Sequence, residues 1–225
     1  MKNKTLWKQV GAAAIAAAMV MSTVPATPVQ AAGGKTLAVS SQKQLNQALK
    51  TVKGKNAVIT VKAGKNVKIT IPKGTYKVTI RVVGKKAAVV NNGTVKEIVV
   101  NSKGTVAIKN NGTIKKVTVQ NAKSVSFSGN HKKAVPVVVN AEDVSMILAA
   151  PAKITAKKDV NIVLKKGAEK SSITCTKNVQ AQVDNQTKKA ISVKIADGTT
   201  LKVESGESCT ITPKGKKEDT SGEDK

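Results

Sequence analysis

Aromatic side chains are almost missing from this chain. Trp7, Tyr76 and Phe127 are the whole set, 1% of 225 residues. Proteins that stack sugars or single-stranded bases usually build aromatic platforms, so that class of function loses its usual tool. Arginine is just as scarce, with Arg81 the sole example among 39 basic residues. Bidentate arginine is the commonest device for reading guanine in the major groove, so sequence-specific nucleic-acid recognition is not expected. With His131 as the only histidine, a histidine-based catalytic or metal site is poorly provided for, and His131 reads as an exposed turn residue. Acids are few: 13 Asp+Glu against 39 Lys+Arg, for a net charge of +26.

What remains is lysine, small β-branched residues and turns. Hydrophobic residues make up 40% of the chain, and their Val/Ile/Thr character fits packed β-structure. The charge is uneven. Between Gly33 and Ala141 stand 20 lysines and Arg81 against Glu97 alone, whereas the remainder to Lys225 holds 15 lysines against 12 acids.

The first residues read as an address. Lys2, Lys4 and Lys8 precede an uncharged run from Val10 to Val24, and Val29-Gln30-Ala31 supplies a small-residue cleavage pattern. This is the layout of a secretory signal peptide over residues 1–31. The expectation is a secreted or cell-surface-associated protein with no transmembrane anchor after cleavage.

A repeat organises the rest of the chain. Asn91-Asn92-Gly93-Thr94-Val95-Lys96 returns as Asn110-Asn111-Gly112-Thr113-Ile114-Lys115, 19 residues on, and Gly74-Thr75-Tyr76-Lys77 lies one step back. Between the repeats, apolar and polar residues alternate, as in Lys77–Val82 and Lys116–Gln120. Period-two alternation marks strands with one buried face. A fixed return of about nineteen residues marks coils that bury their apolar edges only by stacking. The expected fold is therefore all-β: a parallel β-solenoid over residues 54–212, about eight coils, with two-sheet and three-sheet forms both open. Residues 32–53 are expected to form an N-terminal strand and a capping helix, and residues 213–225 a disordered charged tail. Gly74, Gly93 and Gly112 are the expected structural turns. Asn101, Asn121 and Asn140 close successive apolar runs, and stacked amides there would form a ladder between coils.

The opening carries a resemblance. Ser40–Lys50 has the pattern Leu45-x-x-Ala48-Leu49 of an amphipathic helix. Ala57–Val61 is β-like, and Gly74-Thr75-Tyr76 turns into the coils. This order resembles the start of pectin-lyase-like parallel β-helix proteins. The whole, a Lys/Val/Thr-rich secreted solenoid, resembles exported β-solenoid proteins of Gram-positive bacteria. The resemblance implies a fold and not an activity.

The chemistry of that family makes definite demands on residues. Calcium-dependent lyases need clustered carboxylates, and glycosidases need a spaced pair. Glu142, Asp143, Asp159, Glu169, Asp184, Asp197, Glu204 and Glu207 are scattered among lysines and turns, so no catalytic residue, metal site or cofactor is expected. Cys175 and Cys209 fall on the apolar phase of two strands. A disulfide between them is allowed in an exported chain, as is a pair of small buried hydrophobes. Lys62, Lys68, Lys77, Arg81, Lys96, Lys109 and Lys116 fall on the polar phase or at turns, where stacking would align some into basic stripes that attract polyanions. The leading expectation is a non-enzymatic monomer associating with an anionic cell-wall polymer or acidic polysaccharide. The alternatives are an enzyme on acidic glycans and a surface adhesin.

Overall fold

In the computed structural model, residues 35–63, 67–215 and 217–219 are described. In chain order they form β1 (Lys35–Val39), α1 (Gln42–Thr51), β2 (Ala57–Ala63), β3 (Val67–Ile71), the long β4 (Thr75–Asn91) and β5 (Thr94–Asn110), and β6 (Thr113–Ile114). There follow β7 (Val117–Asn121), β8 (Ser124–Ser128), β9 (Val135–Val139), β10 (Val144–Ala149), β11 (Ala152–Ala156), β12 (Val160–Leu164) and β13 (Ser172–Cys175). The last five are β14 (Ala181–Asn185), β15 (Ile191–Lys194), β16 (Thr200–Val203), β17 (Ser208–Ile211) and β18 (Lys217–Asp219). The expected signal peptide lies outside the described residues. Among them, no helix is long and apolar enough to cross a membrane.

The strands stack as a parallel β-solenoid of about eight turns with coils of about 19 residues. A first sheet runs β1, β2, the start of β4, the start of β5, β7, β9, β11, β13 and β15, with Ile80 beside Ile98 and Ile98 beside Val117. A second runs β3, the end of β4, the end of β5, β8, β10, β12 and β14, with Val89 beside Ile108 and Ile108 beside Phe127. A third ladder is only three rungs high, at Thr75-Tyr76, Thr94-Val95 and Thr113-Ile114. The solenoid is thus a two-sheet form. β4 and β5 bend through the corner and belong to both sheets.

Alternation dictates this packing. In β8 and β12 the residues of one phase are buried and those of the other face outward. Inward side chains from both sheets, among them Ile59, Ile80, Ile98, Phe127, Leu148 and Ile162, form one continuous core. Each such side chain contributes about 1.5–3 kcal/mol when fully buried. Coil length varies along the stack: Val137 pairs with Ile154, but Ile173 pairs with Val193. Extra residues loop out at corners while the register is held, which is why the motif fades after residue 140 although parallel pairing continues to Lys194.

Both ends are treated specially. Ser41 caps α1, its hydroxyl accepting from Gln44 N–H, while Gln44 Oε1 accepts from Ser40 N–H at 2.7 Å. This reciprocal arrangement starts the helix. Leu45, Ala48 and Leu49 are buried. Gln42 does more than sit on the helix: its amide accepts from Thr70 N–H at 2.6 Å and donates to Thr70 O at 2.8 Å. A side-chain amide thus stands in for a neighbouring strand at the open edge of β3, the kind of edge that otherwise invites unwanted pairing. At the other end, pairing turns antiparallel, β15 with β16, β14 with β17, and β17 with β18. The Asp197-Gly198 turn closes the first of these hairpins, Asp197 Oδ1 accepting from Thr199 N–H at 2.7 Å. The parallel stack therefore ends before residue 212. Within the stretch expected as a charged tail, Lys217–Asp219 pairs with Cys209–Ile211, and Lys217 meets Glu207 in an ion pair.

Candidate functional site

The tight corners decide where charge is displayed. A Cβ placed on Gly104 would stand 1.8 Å from Lys85 O, and one on Gly112 would stand 2.1 Å from Gly93 O. Gly93 is confined by Pro72 O at 2.5 Å and Gly74 O at 2.8 Å. Backbone thus rests on backbone at the corners, and only glycine fits. Gly74 differs, because its φ of +144° is itself a glycine conformation. Side chains that would fill a corner are displaced to its flanks, and those are mostly lysines.

Two lysine edges result. At the turn from first to second sheet stand Lys85, Lys86, Lys103 and Lys123, all exposed or half-exposed. Lys123 N–H donates to Gly104 O at 2.9 Å, which stacks one coil on the next. At the opposite turn, Lys77, Lys96 and Lys115 directly follow Tyr76, Val95 and Ile114, which pair in sequence up the stack. Adjacent strands lie about 4.8 Å apart, so these ammonium groups form a row of like charge. None of the three makes an ion pair among the described residues.

The other expected contact residues are spread more widely. Lys62 is exposed at the end of β2, opposite Val83. Lys68 and Lys109 are exposed on the outer face of the second sheet, opposite Ala88 and Val90. Arg81 lies on the outer face of the first sheet between Thr60 and Val99, half-buried, its buried Nε without a hydrogen-bond partner. Lys116 is held by Glu97 at 3.4 Å. The structure therefore brings Lys77 and Lys96 together, adds Lys115, and separates Arg81 from them. Sequence reading missed the corner lysines Lys85, Lys103, Lys115 and Lys123, although their adjacency to Gly84, Gly104 and the turn motif was visible.

Five of the acids are occupied. Glu97, half-buried, accepts from Thr118 Oγ1 at 2.6 Å as well as pairing Lys116. Asp159 accepts from Gln180 N–H at 2.8 Å, and Glu207 from Glu204 N–H at 2.7 Å. Glu142 pairs with Lys158 at 2.7 Å; that hydrogen bond and the charge behind it lower the carboxyl's pKa and raise the lysine's. Glu169 accepts from Gly167 N–H at 3.0 Å, and backbone hydrogen bonds hold its pKa low. Glu142 and Asp143 sit in an exposed turn rather than on opposite faces of a strand, with Asp143 at φ 52°. Among the described residues no three His, Cys, Asp or Glu side chains could hold a metal ion.

Two expectations are corrected. The asparagine ladder exists, but not at Asn101, Asn121 and Asn140, whose side chains make no hydrogen bond among the described residues. It runs at Asn91 and Asn110, both fully buried, with Asn91 Nδ2 donating to Asn110 Oδ1 at 2.8 Å and to Gly93 O at 2.9 Å. Asn92 and Asn111 form a second, outer rung, Asn111 Nδ2 donating at 3.0 Å. Gly129 follows Asn110 in the stack and has no amide to offer, so Asn110 Nδ2 ends the ladder without a partner. Of the two alternatives for the cysteines, the disulfide does not form: Cys175 and Cys209 are both buried. They sit on different sheets, Cys175 beside Ala156 and Cys209 beside Val183. Burial pushes the Cys175 thiol up to about 11. His131 is half-buried rather than exposed: its ring meets Phe127 edge-on at 5.2 Å, Nδ1 lies 3.2 Å from Asn110 O, and Nε2 lies 3.0 Å from Pro151 O. The ring thus sits between backbone carbonyls of the preceding and following coils, and a neutral imidazole donates its one N–H to one of them.

Compared with protein-family models, curated proteins and solved structures, the chain matches none.

Proposed function

We propose that this protein is an exported, non-enzymatic β-solenoid that associates electrostatically with anionic polymers of the cell envelope or the surrounding matrix. Its partner is an anionic cell-wall polymer or an acidic polysaccharide, and it acts as a monomer. One observation carries the reading. In the coils up to Ala141 lysines stack along both corners, and the single acid there, Glu97, is already committed to Lys116 and Thr118. Among the described residues no acid pairs with the corner lysines, so external anions are what would neutralise them. The Leu-x-x-Ala-Leu helix and Gly-Thr-Tyr turn support kinship with pectin-lyase-like solenoids of Gram-positive exported proteins. Catalysis on acidic glycans finds less support, since Glu97, Glu142, Asp159, Glu169 and Glu207 accept from backbone amides or pair with lysine one by one.

Fractionation of cells expressing the full chain tests this. The protein is expected in the envelope fraction at low salt and in the wash at high salt. Retention through the high-salt wash, or release into the medium at low salt, argues against it.

A further inference from the structure

The outer face of the second sheet is built differently from the corners. Lys68, Ala88, Ala107 and Ser126 stand opposite one another on successive coils, so a column of mostly small side chains runs along the solenoid axis. On one side the parallel column is Lys86, Thr105 and Ser124; on the other it is Val90, Lys109 and Ser128. Beyond Lys68 the floor is short, and each flank carries one lysine, Lys86 or Lys109. A shallow trough of about 170 Å³ lies on the Lys86 side of this floor, lined by Val67, Lys68, Lys86, Ala88, Thr105 and Ala107, with Lys109 outside it on the far flank. The flanking columns are four residues apart, roughly 13 Å at the usual strand rise. That admits one polymer chain and is narrower than a nucleic-acid duplex.

Charge complementarity names the occupant. No acid stands on these three columns until Asp184, in the coil of β14. No aromatic ring projects into the trough, Phe127 being turned into the core, so ring stacking on sugars has no platform. We infer that the trough is a docking site for a single chain of a linear phosphodiester polymer lying parallel to the solenoid axis, its phosphates held by Lys68, Lys86 and Lys109, since the site offers charge but no platform for sugar rings. This rests on the electrostatic reading above and adds the face, the direction and the width of the ligand.

The test titrates the full chain with a sized phosphodiester polymer, polyglycerol phosphate, and a sized carboxylate polysaccharide, hyaluronan, over a salt series. Phosphatidylglycerol vesicles serve as a planar anionic surface. Lys86→Gln with Lys109→Gln is compared with Lys153→Gln with Lys194→Gln, which removes the same charge from exposed positions on the first sheet. The trough pair is expected to weaken polymer binding at least about tenfold and to flatten the log K against log salt slope by about 1.4, since each lost contact on a flexible strand is worth about 0.7. The first-sheet pair is expected to leave binding near that of the parent. Polyglycerol phosphate is expected to bind more tightly than hyaluronan, and the reverse order would overturn the phosphodiester assignment. Equal losses in both double variants would overturn the trough while leaving the electrostatic function intact. Binding to vesicles but to neither polymer would overturn it in favour of a flat surface. Absence of binding to any probe would remove the proposed function as well.

Discussion

Asn91 and Asn101 occupy similar sequence settings, each ending an apolar run before a turn, yet only one is structural. Asn91 is fully buried and gives its amide hydrogens to Gly93 O and Asn110 Oδ1. Asn101 lies within β5, close to the corner where that strand bends, and its side chain is partly in solvent. Asn91→Ala strands buried acceptors and is expected to cost about 1–3 kcal/mol, read as a lower denaturant midpoint at unchanged slope. Asn101→Ala is expected to stay within about 0.5 kcal/mol of the parent. The Asn-Asn-Gly repeat was plain in the sequence. Which asparagine turned inward was harder to read: Asn91 shares the buried phase of Ala87 and Val89, but the unbroken apolar run Ile98-Val99-Val100 before Asn101 hides which phase is buried there. The cysteines make the same point. Their apolar phase was legible, but whether two strands bring thiols together depends on sheet assignment. Cys175, buried with a pKa raised to about 11, is expected to stay unreactive toward a thiol-disulfide reagent at about pH 8 in the native state and to react once unfolded, since the thiolate is the nucleophile.

At the scale of the element, corners matter more than strands. Strand existence followed from alternation and coil length from the 19-residue return. Corner geometry demanded coordinates, because it depends on how closely one coil rests on the next. Gly104 illustrates this. Its backbone needs no unusual φ, but a methyl group would meet Lys85 O at 1.8 Å. Gly104→Ala must therefore push neighbouring coils apart. The expected destabilisation is about 1–3 kcal/mol, as for overpacking in a core, measurable by thermal unfolding. The end elements were only partly legible. The helix was read from its apolar face and serine cap, but the pairing of Gln42 with the β3 edge was not, since nothing local marks a glutamine that bonds 28 residues away. Lys217–Asp219 was concealed by its charged composition.

At the scale of the whole molecule, charge is a property of the stack. A net charge of +26 says only that the chain is basic. Stacking converts it into two lysine edges in the first coils, set where glycine-tight corners push side chains outward, with a small-residue trough between them. The later coils interleave lysines with acids that staple turns, so the field weakens toward the antiparallel cap. The basic half was evident from counting residues, but the concentration of lysine at corners was not, because strand alternation pointed to faces. The central claim is that these edges bind anionic polymer through charge alone. Its most direct measurement is the affinity of the full chain for a soluble linear polyanion as a function of salt. The expected result is a linear fall of log K with log salt, its slope set by several lysine contacts at about 0.7 each. An affinity that does not change with salt, or none at low salt, would contradict it.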